Sequence, residues 1–395
     1  MEEAFFRTHA YLIEHTNAPV RRLLMDQIDW NARMIGVKGS RGCGKTTFLL
    51  QYAKEKFGAN DRSCLYVNMN NFYFQGHTIP EFAGEFVKAG GKVLLIDQIF
   101  KEPYWDKQLR ECYDKYPNLK IVFTGSSVMR LKQNPILNDV VKSYNLRGFS
   151  FREYINLMTG NNFRPYTLED IITNHEHIAR EILPKVSPMK YFKDYIHHGY
   201  YPFFLEHRDY SENLLKTMNM MIEVDVLLIK QIELKYLTKI KKLFYELALE
   251  GPKAPNISKL ADDIETSRAT VMNYIKYLTD ARLINMIYPL GQEFPKKPSK
   301  VMMHNSNLMY AIYPIKAIKQ ELMETFFVNA LWKDHKVNQA SKDQYYIVDG
   351  KYRFRICDAT APNKIRYNPD TIYARFNTEV GKDNKMPLWL LGFLY

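Results

Sequence analysis

One short segment, GSRGCGKTT at residues 39–47, constrains the fold of this chain more than any other. It follows the apolar run Met34–Val37 and precedes a helical stretch at Thr47–Lys54, which is the context in which G-x-x-x-x-G-K-[ST] binds phosphate. Its glycines let successive backbone N–H groups point into one concavity, and the helix N-terminus adds positive potential there. The segment therefore predicts a nucleotide-phosphate loop inside an α/β fold.

The residues of this loop have separate expected roles. Lys45 is expected to reach the β- and γ-phosphates of ATP, and the Thr46 hydroxyl to ligate Mg²⁺. The sequence thus predicts ATP and Mg²⁺ as cofactors. The predicted cofactor-binding residues are Gly39, Arg41, Gly42, Cys43, Gly44, Lys45, Thr46 and Thr47.

Two later predicted strands end in polar residues that would complete a nucleotide-binding site. Val93–Ile96 is a buried-strand pattern followed by Asp97, the predicted second metal residue, which would hold the water shell of Mg²⁺. The apolar run Ile121–Phe123 is followed by Thr124 and Ser126. Both are placed to sense the γ-phosphate or orient the attacking water, and an ordinary strand-ending turn is the alternative.

Gln98 follows Asp97, at the position where ATPases with an extra strand between the two motifs usually carry a Glu that polarises the attacking water. Gln is nearly isosteric with Glu but accepts no proton near neutral pH. Either the natural protein hydrolyses ATP poorly, or a Glu→Gln substitution traps the ATP-bound state; the otherwise complete motif set favours substitution. The predicted catalytic residues are Lys45, Gln98, Thr124 and Ser126, with slow turnover.

The chain pattern predicts four parts. Short apolar runs alternate with amphipathic stretches over residues 1–160, which predicts a parallel sheet with crossover helices. Residues 161–250 have helical periodicity and predict a helical lid, and 251–295 predict a winged helix. Residues 296–395 predict a small α+β domain with a helix at Ile315–Trp332 and strands, among which the apolar run Leu388–Tyr395 suits a buried strand.

Composition narrows the class of partner and compartment. Lys and Arg number 55 against 43 Asp and Glu, so the net charge is +12 and a polyanionic partner is expected. Four separated cysteines without a CxxC pair argue against a zinc ribbon and favour a reducing compartment. The N-terminus lacks a secretory pattern, and no run approaches the ~20 apolar residues of a membrane span, so we expect a cytoplasmic protein.

With these residues identified, the chain resembles bacterial and archaeal AAA-type ATPases that carry a C-terminal domain of unknown function. The resemblance implies an ASCE-type sheet, a helical lid, a winged helix and a terminal domain with a restriction-endonuclease-like fold. Two positions depart from the family pattern, since Gln98 stands in place of Glu and Asn305 in place of Asp. The segments that carry the likeness are GSRGCGKTT (39–47), LLIDQIFKEPYW (94–105), KIVFTGSS (120–127), LRGFSFREY (146–154), HHGYYP (197–202) and KVMMHNSNLMYAIY (300–313).

An active nuclease-like domain would need a helix Glu, a carboxylate pair and a Lys on adjacent strands to bind metal. Glu324 suits the helix acid, but the strand that should carry the acids has Arg353 and Arg355 before Asp358. Two arginines at that place would repel Mg²⁺. We therefore expect a non-catalytic terminal domain that binds a protein partner.

Two hypotheses for the partner remain open. In the first, ATP state controls DNA binding through the exposed residues Arg268, Thr270, Asn273 and Lys276, helped by Lys296, Lys297 and Lys300. In the second, the winged helix is structural and ATP state governs protein binding or assembly, including homo-oligomers. Arg130 and Lys132, which follow the Thr124–Ser126 strand end, are candidates for cations that act in trans across a subunit interface, and a surface salt bridge is the alternative. Three acids beside the recognition helix weaken the DNA hypothesis: Asp262, Asp263 and Glu265.

Overall fold

The structure, a computed structural model, describes residues 3–206, 209–313, 318–340, 344–360 and 368–395, without the side chain of Leu228. The chain divides into two compact units, Met1–Gly148 and Phe149–Tyr395. The division into four parts stays a prediction.

The first unit is built on a five-stranded sheet in the order β2-β3-β4-β1-β5, and every neighbouring pair is parallel. Strand β4 lies between β1, which leads into the phosphate loop, and β3, which ends at Asp97. The predicted parallel sheet is therefore confirmed, and it is consistent with a P-loop NTPase-like core. The strands are β1 (Met34–Gly39), β2 (Cys64–Asn68), β3 (Val93–Asp97), β4 (Lys120–Ser126) and β5 (Lys142–Asn145).

Helices cover both faces of this sheet, as a parallel sheet requires. Phe48 packs with Val37 and Val122 in one buried cluster on one face. Successive strand side chains point to opposite faces, and Phe123 contacts Trp105 on the other side with ring centroids 6.3 Å apart. The helices are α1 (Glu3–His15), α2 (Leu24–Gln27), α3 (Lys45–Lys56), α4 (Ile79–Lys88) and α5 (Trp105–Lys115).

The second unit begins with a helical region. Ser150 starts its first helix with a reciprocal cap: the Glu153 N–H donates to Ser150 Oγ at 3.1 Å, and the Ser150 N–H donates to the Glu153 carboxylate at 3.1 Å. Between residues 149 and 283, the described residues contain no strand. The helices are α6 (Phe151–Thr159), α7 (Leu168–Ile182), α8 (Pro188–Asp194), α9 (Tyr210–Met220), α10 (Leu227–Lys230) and α11 (Leu237–Glu250).

Two short helices and a strand pair follow. Ser267 caps the second helix, because its Oγ accepts from the Thr270 N–H at 3.1 Å. The strands pair antiparallel with Ile284 opposite Met303. These elements are α12 (Ile257–Asp263), α13 (Arg268–Asp280), β6 (Ile284–Ile287) and β7 (Lys300–Met303).

The last part contains a mixed sheet in the order β12-β11-β10-β9-β8. β8, β9 and β10 run antiparallel, and β10, β11 and β12 run parallel. Phe327 contacts Tyr346 and Phe354, with centroids 5.2 and 5.3 Å apart. The elements are α14 (Ser306–Ile312), α15 (Lys319–Leu331), β8 (Val337–Gln339), β9 (Tyr345–Val348), β10 (Tyr352–Asp358), β11 (Ile372–Phe376) and β12 (Lys385–Pro387).

The sequence predicted a helix and a final strand in this part, and their outcomes differ. The start of the helix predicted from Ile315 lies outside the described residues. The strand predicted at Leu388–Tyr395 is wrong, because Leu388–Phe393 forms a 3₁₀ helix that is buried throughout. A short run that is apolar on all sides has no period, so its pattern suits a buried strand and a buried helical turn equally.

No helix within the described ranges is long and apolar enough to cross a bilayer. All four cysteines are buried free thiols.

Candidate active site

The backbone of the phosphate loop needs glycine at two of its positions. Gly44 has φ 91°, in the left-handed region that favours glycine. A Cβ at Gly39 would lie 2.5 Å from the Leu146 carbonyl oxygen and 2.8 Å from Cys43 Sγ. The loop is therefore tightly curved and packed against the chain that follows β5.

Helix α3 starts at Lys45, directly after this loop. Its first turn contains no acidic residue, and no side chain within the described ranges caps its N-terminus. Lys45 Nζ donates to the Gly39 and Ser40 carbonyl oxygens at 3.0 and 2.8 Å, so the ammonium lies over the loop. An uncapped helix N-terminus beside a curved loop and a lysine fits a phosphate group.

Asp97 lies at the end of β3, is fully buried and accepts hydrogen bonds from four side chains. Thr46 Oγ1, Tyr66 OH and Asn68 Nδ2 donate to Oδ2 at 2.7, 2.9 and 3.2 Å, and Thr124 Oγ1 donates to Oδ1. Because the carboxyl ends of parallel strands meet at one sheet edge, residues from β2, β3, β4 and α3 converge there. Asp97 thus links the phosphate loop to both neighbouring strands.

Tyr66 and Asn68 were missed by the sequence reasoning. Burial, and next the Asp97 charge, raise the pKa of the Tyr66 phenol well above its usual range, so at neutral pH it stays a donor. Asn68 Nδ2 also donates to the Tyr66 hydroxyl at 3.3 Å. The sequence signal that could have indicated this position is the polar residue Asn68 directly after the apolar run Cys64–Val67.

Gln98 has an unusual backbone. Its φ of 59° and ψ of 45° place it in the left-handed region, where non-glycine residues are strained, and such residues cluster at functional sites. Its N–H donates to Thr124 Oγ1 at 2.9 Å. Thr124 therefore connects Asp97 and Gln98 through one hydroxyl, which makes it a positioning residue in this structure.

The remaining predicted residues lie along the same edge. Ser126 is buried and pairs in register with Gly39 across β4 and β1. Cys43 is buried as well, whereas Thr46 and Thr47 are exposed at the start of α3 and Arg41 is half-buried. The structure thus brings Lys45, Thr46, Asp97, Gln98, Thr124 and Ser126 to one edge of the sheet, and their catalytic roles stay predictions.

Arg22 is a further residue that no motif indicated. Its guanidinium is buried and donates to the carbonyl oxygens of Cys43, Arg147 and Gly148 at 3.1, 2.6 and 3.0 Å. It therefore holds the phosphate loop to the end of the first unit. The sequence separation between these partners is too large for a local pattern to show the contact.

Thr124 offers a test of this network. Thr124→Val keeps the volume but leaves Asp97 Oδ1 and the Gln98 N–H without their partner, so we expect the free energy of unfolding to fall by about 1–3 kcal/mol. Urea denaturation measures this change, and Thr124→Ser, which keeps the hydroxyl, is the control. Equal stability of the Val variant and the unsubstituted chain would contradict the network.

In the second unit, Glu324 on α15 is paired with a lysine. Lys300 Nζ donates to Glu324 Oε2 at 2.8 Å and to the Tyr346 hydroxyl at 3.2 Å, and that hydroxyl donates to the same carboxylate oxygen at 2.5 Å. Gln320 Nε2 donates to Oε1 at 3.0 Å. Both oxygens of Glu324 are therefore occupied, and no cluster of metal-ligating residues occurs in the described part of the chain.

The predicted DNA-contact residues lie on α13. Arg268 and Asn273 are exposed, whereas Lys276 is half-buried and pairs with Asp280, which Lys230 also contacts at 3.2 Å. Burial raises the pKa of Asp280, but the hydrogen bonds and charges of the two lysines outweigh it, so the pKa lies below its usual value. Lys276 is thus neutralised by a neighbouring acid, which weakens its case as a phosphate contact.

Asn305, which departs from the family pattern, caps α14. Its Oδ1 accepts from the Leu308 N–H at 3.3 Å, and its Nδ2 donates to the Tyr201 hydroxyl at 3.1 Å. An Asp would serve the cap equally well, but it would have no amide hydrogen to donate to Tyr201.

Two parts of the chain match family models. Residues 31–155 match an AAA domain, and residues 189–318 match a domain of unknown function (DUF8612). The AAA-type nucleotide-binding domain predicted for the first part of the chain is thereby supported, over the residues that contain the phosphate loop, Asp97 and Thr124. The winged helix and the restriction-endonuclease-like fold stay predictions.

One curated relative is an uncharacterized protein of Methanocaldococcus jannaschii, 29% identical over 273 residues, or 65% of this chain and 57% of the relative. The match thus spans little more than half of that protein's length. Among solved structures, the structure of C. elegans PCH-2 matches with 17% identity and a TM-score of 0.25, over 40% of this chain and 44% of that one.

Proposed function

We propose that this protein is an AAA-type ATPase that binds ATP with Mg²⁺ and acts as a nucleotide-dependent switch, with hydrolysis slowed by Gln98. The observation that carries the proposal is the buried Asp97, which accepts from Thr46 of the phosphate loop and from Thr124 of the neighbouring strand. That linkage supports the proposal, because nucleotide hydrolysis needs a carboxylate for Mg²⁺ beside the loop that binds the phosphates.

The residues present fit both cofactors. Lys45 and the backbone N–H groups at the start of α3 would hold the phosphates, and Thr46 with Asp97 would hold Mg²⁺ directly or through its water shell. Bound Mg²⁺ would supply charge neutralisation at the β- and γ-phosphates. Tyr66 and Asn68 keep the Asp97 carboxylate oriented by donating hydrogen bonds to it.

Gln98 determines the rate in this proposal. Its amide can hydrogen-bond a water but cannot take a proton from it at neutral pH. The general-base contribution, which is typically about 10²–10⁴-fold, is then missing from the reaction. This chain therefore cleaves bound ATP slowly, whether Gln98 is natural or introduced.

The second unit would couple nucleotide state to a partner. We propose that α6–α11 form a helical lid, that α12, α13, β6 and β7 form a winged helix, and that the terminal sheet is a non-catalytic restriction-endonuclease-like domain. The pairing of Glu324 with Lys300 supports the non-catalytic assignment, since a metal would have to displace the lysine. The pairing of Lys276 with Asp280 favours the alternative in which the winged helix is structural and the switch controls protein assembly.

Calorimetric titration with ATP tests the nucleotide site. We expect Mg²⁺-dependent binding that Lys45→Ala weakens at least tenfold, because the ammonium that faces the phosphates is lost. Lys54→Ala is the matched control, since Lys54 lies on the same helix, is exposed and donates to the Thr16 carbonyl oxygen. Equal affinity of the Lys45→Ala variant and the unsubstituted chain would overturn the proposed site.

A further inference from the structure

Strand β10 carries alternating apolar and cationic side chains. Phe354 and Ile356 are buried on the side that packs against α15, whereas Arg353 is exposed and Arg355 is half-buried. Since strand side chains alternate between faces, both arginines lie on the opposite face of the terminal sheet. Arg375 on β11 pairs in register with Cys357 and so lies on that same face.

One tyrosine ring contacts two of these arginines. Tyr345 on β9 pairs with Arg355, and the guanidinium carbons of Arg353 and Arg355 lie 5.3 and 5.1 Å from its ring centroid. These are cation–π distances. The arginine side chains are therefore held by an aromatic ring on a sheet, which is a rigid support.

Among the residues that the structure describes, no carboxylate pairs with any of the three guanidiniums. In the described part of the chain, none of them forms an ion pair, and the Arg355 guanidinium forms no hydrogen bond. The Nε atoms of Arg355 and Arg375 are buried without an acceptor. Arg375 donates only from Nη2, to the Ala359 carbonyl oxygen at 2.7 Å. A partly buried donor without an acceptor is costly and calls for a ligand.

Neither the Cys357 thiol nor the Asp358 carboxylate serves as an anionic partner for these arginines. Burial raises the pKa of the Cys357 thiol, and the Arg355 and Arg375 charges act against that shift without reversing it, so the thiol stays neutral at pH 7. Asp358 Oδ1 accepts from the Thr360 N–H, the Thr360 hydroxyl and Asn377 Nδ2. Within the described ranges, the positive charge of the cluster is therefore not compensated by a paired acid.

We propose that Arg353, Arg355, Arg375 and Tyr345 form a binding site for the phosphate backbone of a single-stranded nucleic acid. Guanidinium forks match phosphate oxygens in pairs. Alternate residues on a strand are about 7 Å apart, so Arg353 and Arg355 would contact separate phosphates. A sheet surface that combines cations with an aromatic ring is typical of proteins that bind single strands.

The overall charge agrees with this choice of ligand. Residues 251–395 contain 21 Lys and Arg against 14 Asp and Glu. The inference goes beyond the proposed ATPase function and does not rest on it, because binding is measured without nucleotide. If the oligonucleotide does not bind, the result expected from the ATP titration is unaffected. If ATP does not bind, the result expected with the oligonucleotide is likewise unaffected.

Fluorescence anisotropy with a labelled oligothymidylate of about 20 nucleotides tests the site. We expect the unsubstituted chain to bind it in low salt, and Arg353→Gln/Arg355→Gln to bind at least tenfold more weakly. The loss of two phosphate contacts should also make the negative slope of log K against log salt shallower by about 1.4. Unchanged affinity and slope in the double variant would overturn the proposal.

Two control variants separate this site from general charge effects. Lys216→Gln/Lys235→Gln removes the same charge from exposed lysines, each paired with a nearby Glu, and should keep the affinity. A loss of binding in Arg268→Gln/Lys276→Gln, with Arg353→Gln/Arg355→Gln unaffected, would place the contact on α13 and contradict the inference. Tighter binding to a duplex of the same length, or to polyglutamate, would contradict the assigned ligand.

Folding of the double variant is checked by its thermal midpoint. Since Arg355 has no acceptor to lose, we expect the midpoint to be unchanged or higher in Arg353→Gln/Arg355→Gln. The oligonucleotide should raise the midpoint of the unsubstituted chain and not that of the variant, because only a ligand that binds the folded state stabilises it. An equal rise in both would overturn the site.

Discussion

Gln98→Glu is expected to raise ATP turnover by about 10²-fold or more, because a carboxylate supplies a group that takes a proton from the attacking water. The backbone already suits that role. Gln98 is held in a left-handed conformation directly after Asp97, and its N–H donates to Thr124 Oγ1 at 2.9 Å. Glu has nearly the same size, so the change affects the chemical step and should leave the KM for ATP close to its value in the unsubstituted chain.

Phosphate release under saturating ATP measures this effect. Gln75→Glu is the matched control, since Gln75 is an exposed glutamine of the same unit and should not alter the rate. Fast turnover of the unsubstituted chain, abolished by Lys45→Ala, would contradict the assignment of the base at position 98. Running both forms with and without DNA also reveals whether a nucleic acid changes the rate.

Lys300→Met is expected to lower the free energy of unfolding by about 3–5 kcal/mol, because it leaves a buried carboxylate without its cation. Lys300 and Glu324 have side-chain exposures of only 3% and 6%, and their atoms lie 2.8 Å apart. Met has a similar length and keeps most of the packing. The loss therefore comes from Glu324, which would keep only the Tyr346 and Gln320 donors.

Chemical denaturation of three variants separates the ion pair from simple packing. The double variant Lys300→Met/Glu324→Leu should recover part of the loss, because no buried charge then lacks its partner. Lys351→Met removes an exposed lysine and should change stability little. A Lys300→Met variant as stable as the Lys351→Met control would contradict the buried pair.

The sequence predicted those parts of the fold and site that depend on local patterns. The apolar runs before Gly39, Asp97 and Thr124 predicted three of the five strands of the first sheet, and the phosphate loop follows the first of them. A strand end and its polar residue are adjacent in the chain, so a short window contains both. The order of the strands then brought these ends to one edge, as a parallel sheet requires.

The remaining features depend on contacts between distant residues. Arg22 reaches Arg147 and Gly148, and Tyr66 reaches Asp97, through the packing of the whole first unit. Glu324 has the residue type of a metal ligand, but Lys300 on another element neutralises it. The run Leu388–Tyr395 shows a different limit, since its uniform apolar character contains no period that distinguishes a strand from a helical turn.

The identity of the nucleotide retained after incubation with ATP and Mg²⁺ tests the account most directly. The protein is separated from free nucleotide, denatured, and the released nucleotide analysed by chromatography. We predict that the unsubstituted chain retains ATP, whereas the Gln98→Glu variant retains ADP and the Lys45→Ala variant retains neither. Retention of ADP by the unsubstituted chain would contradict the account.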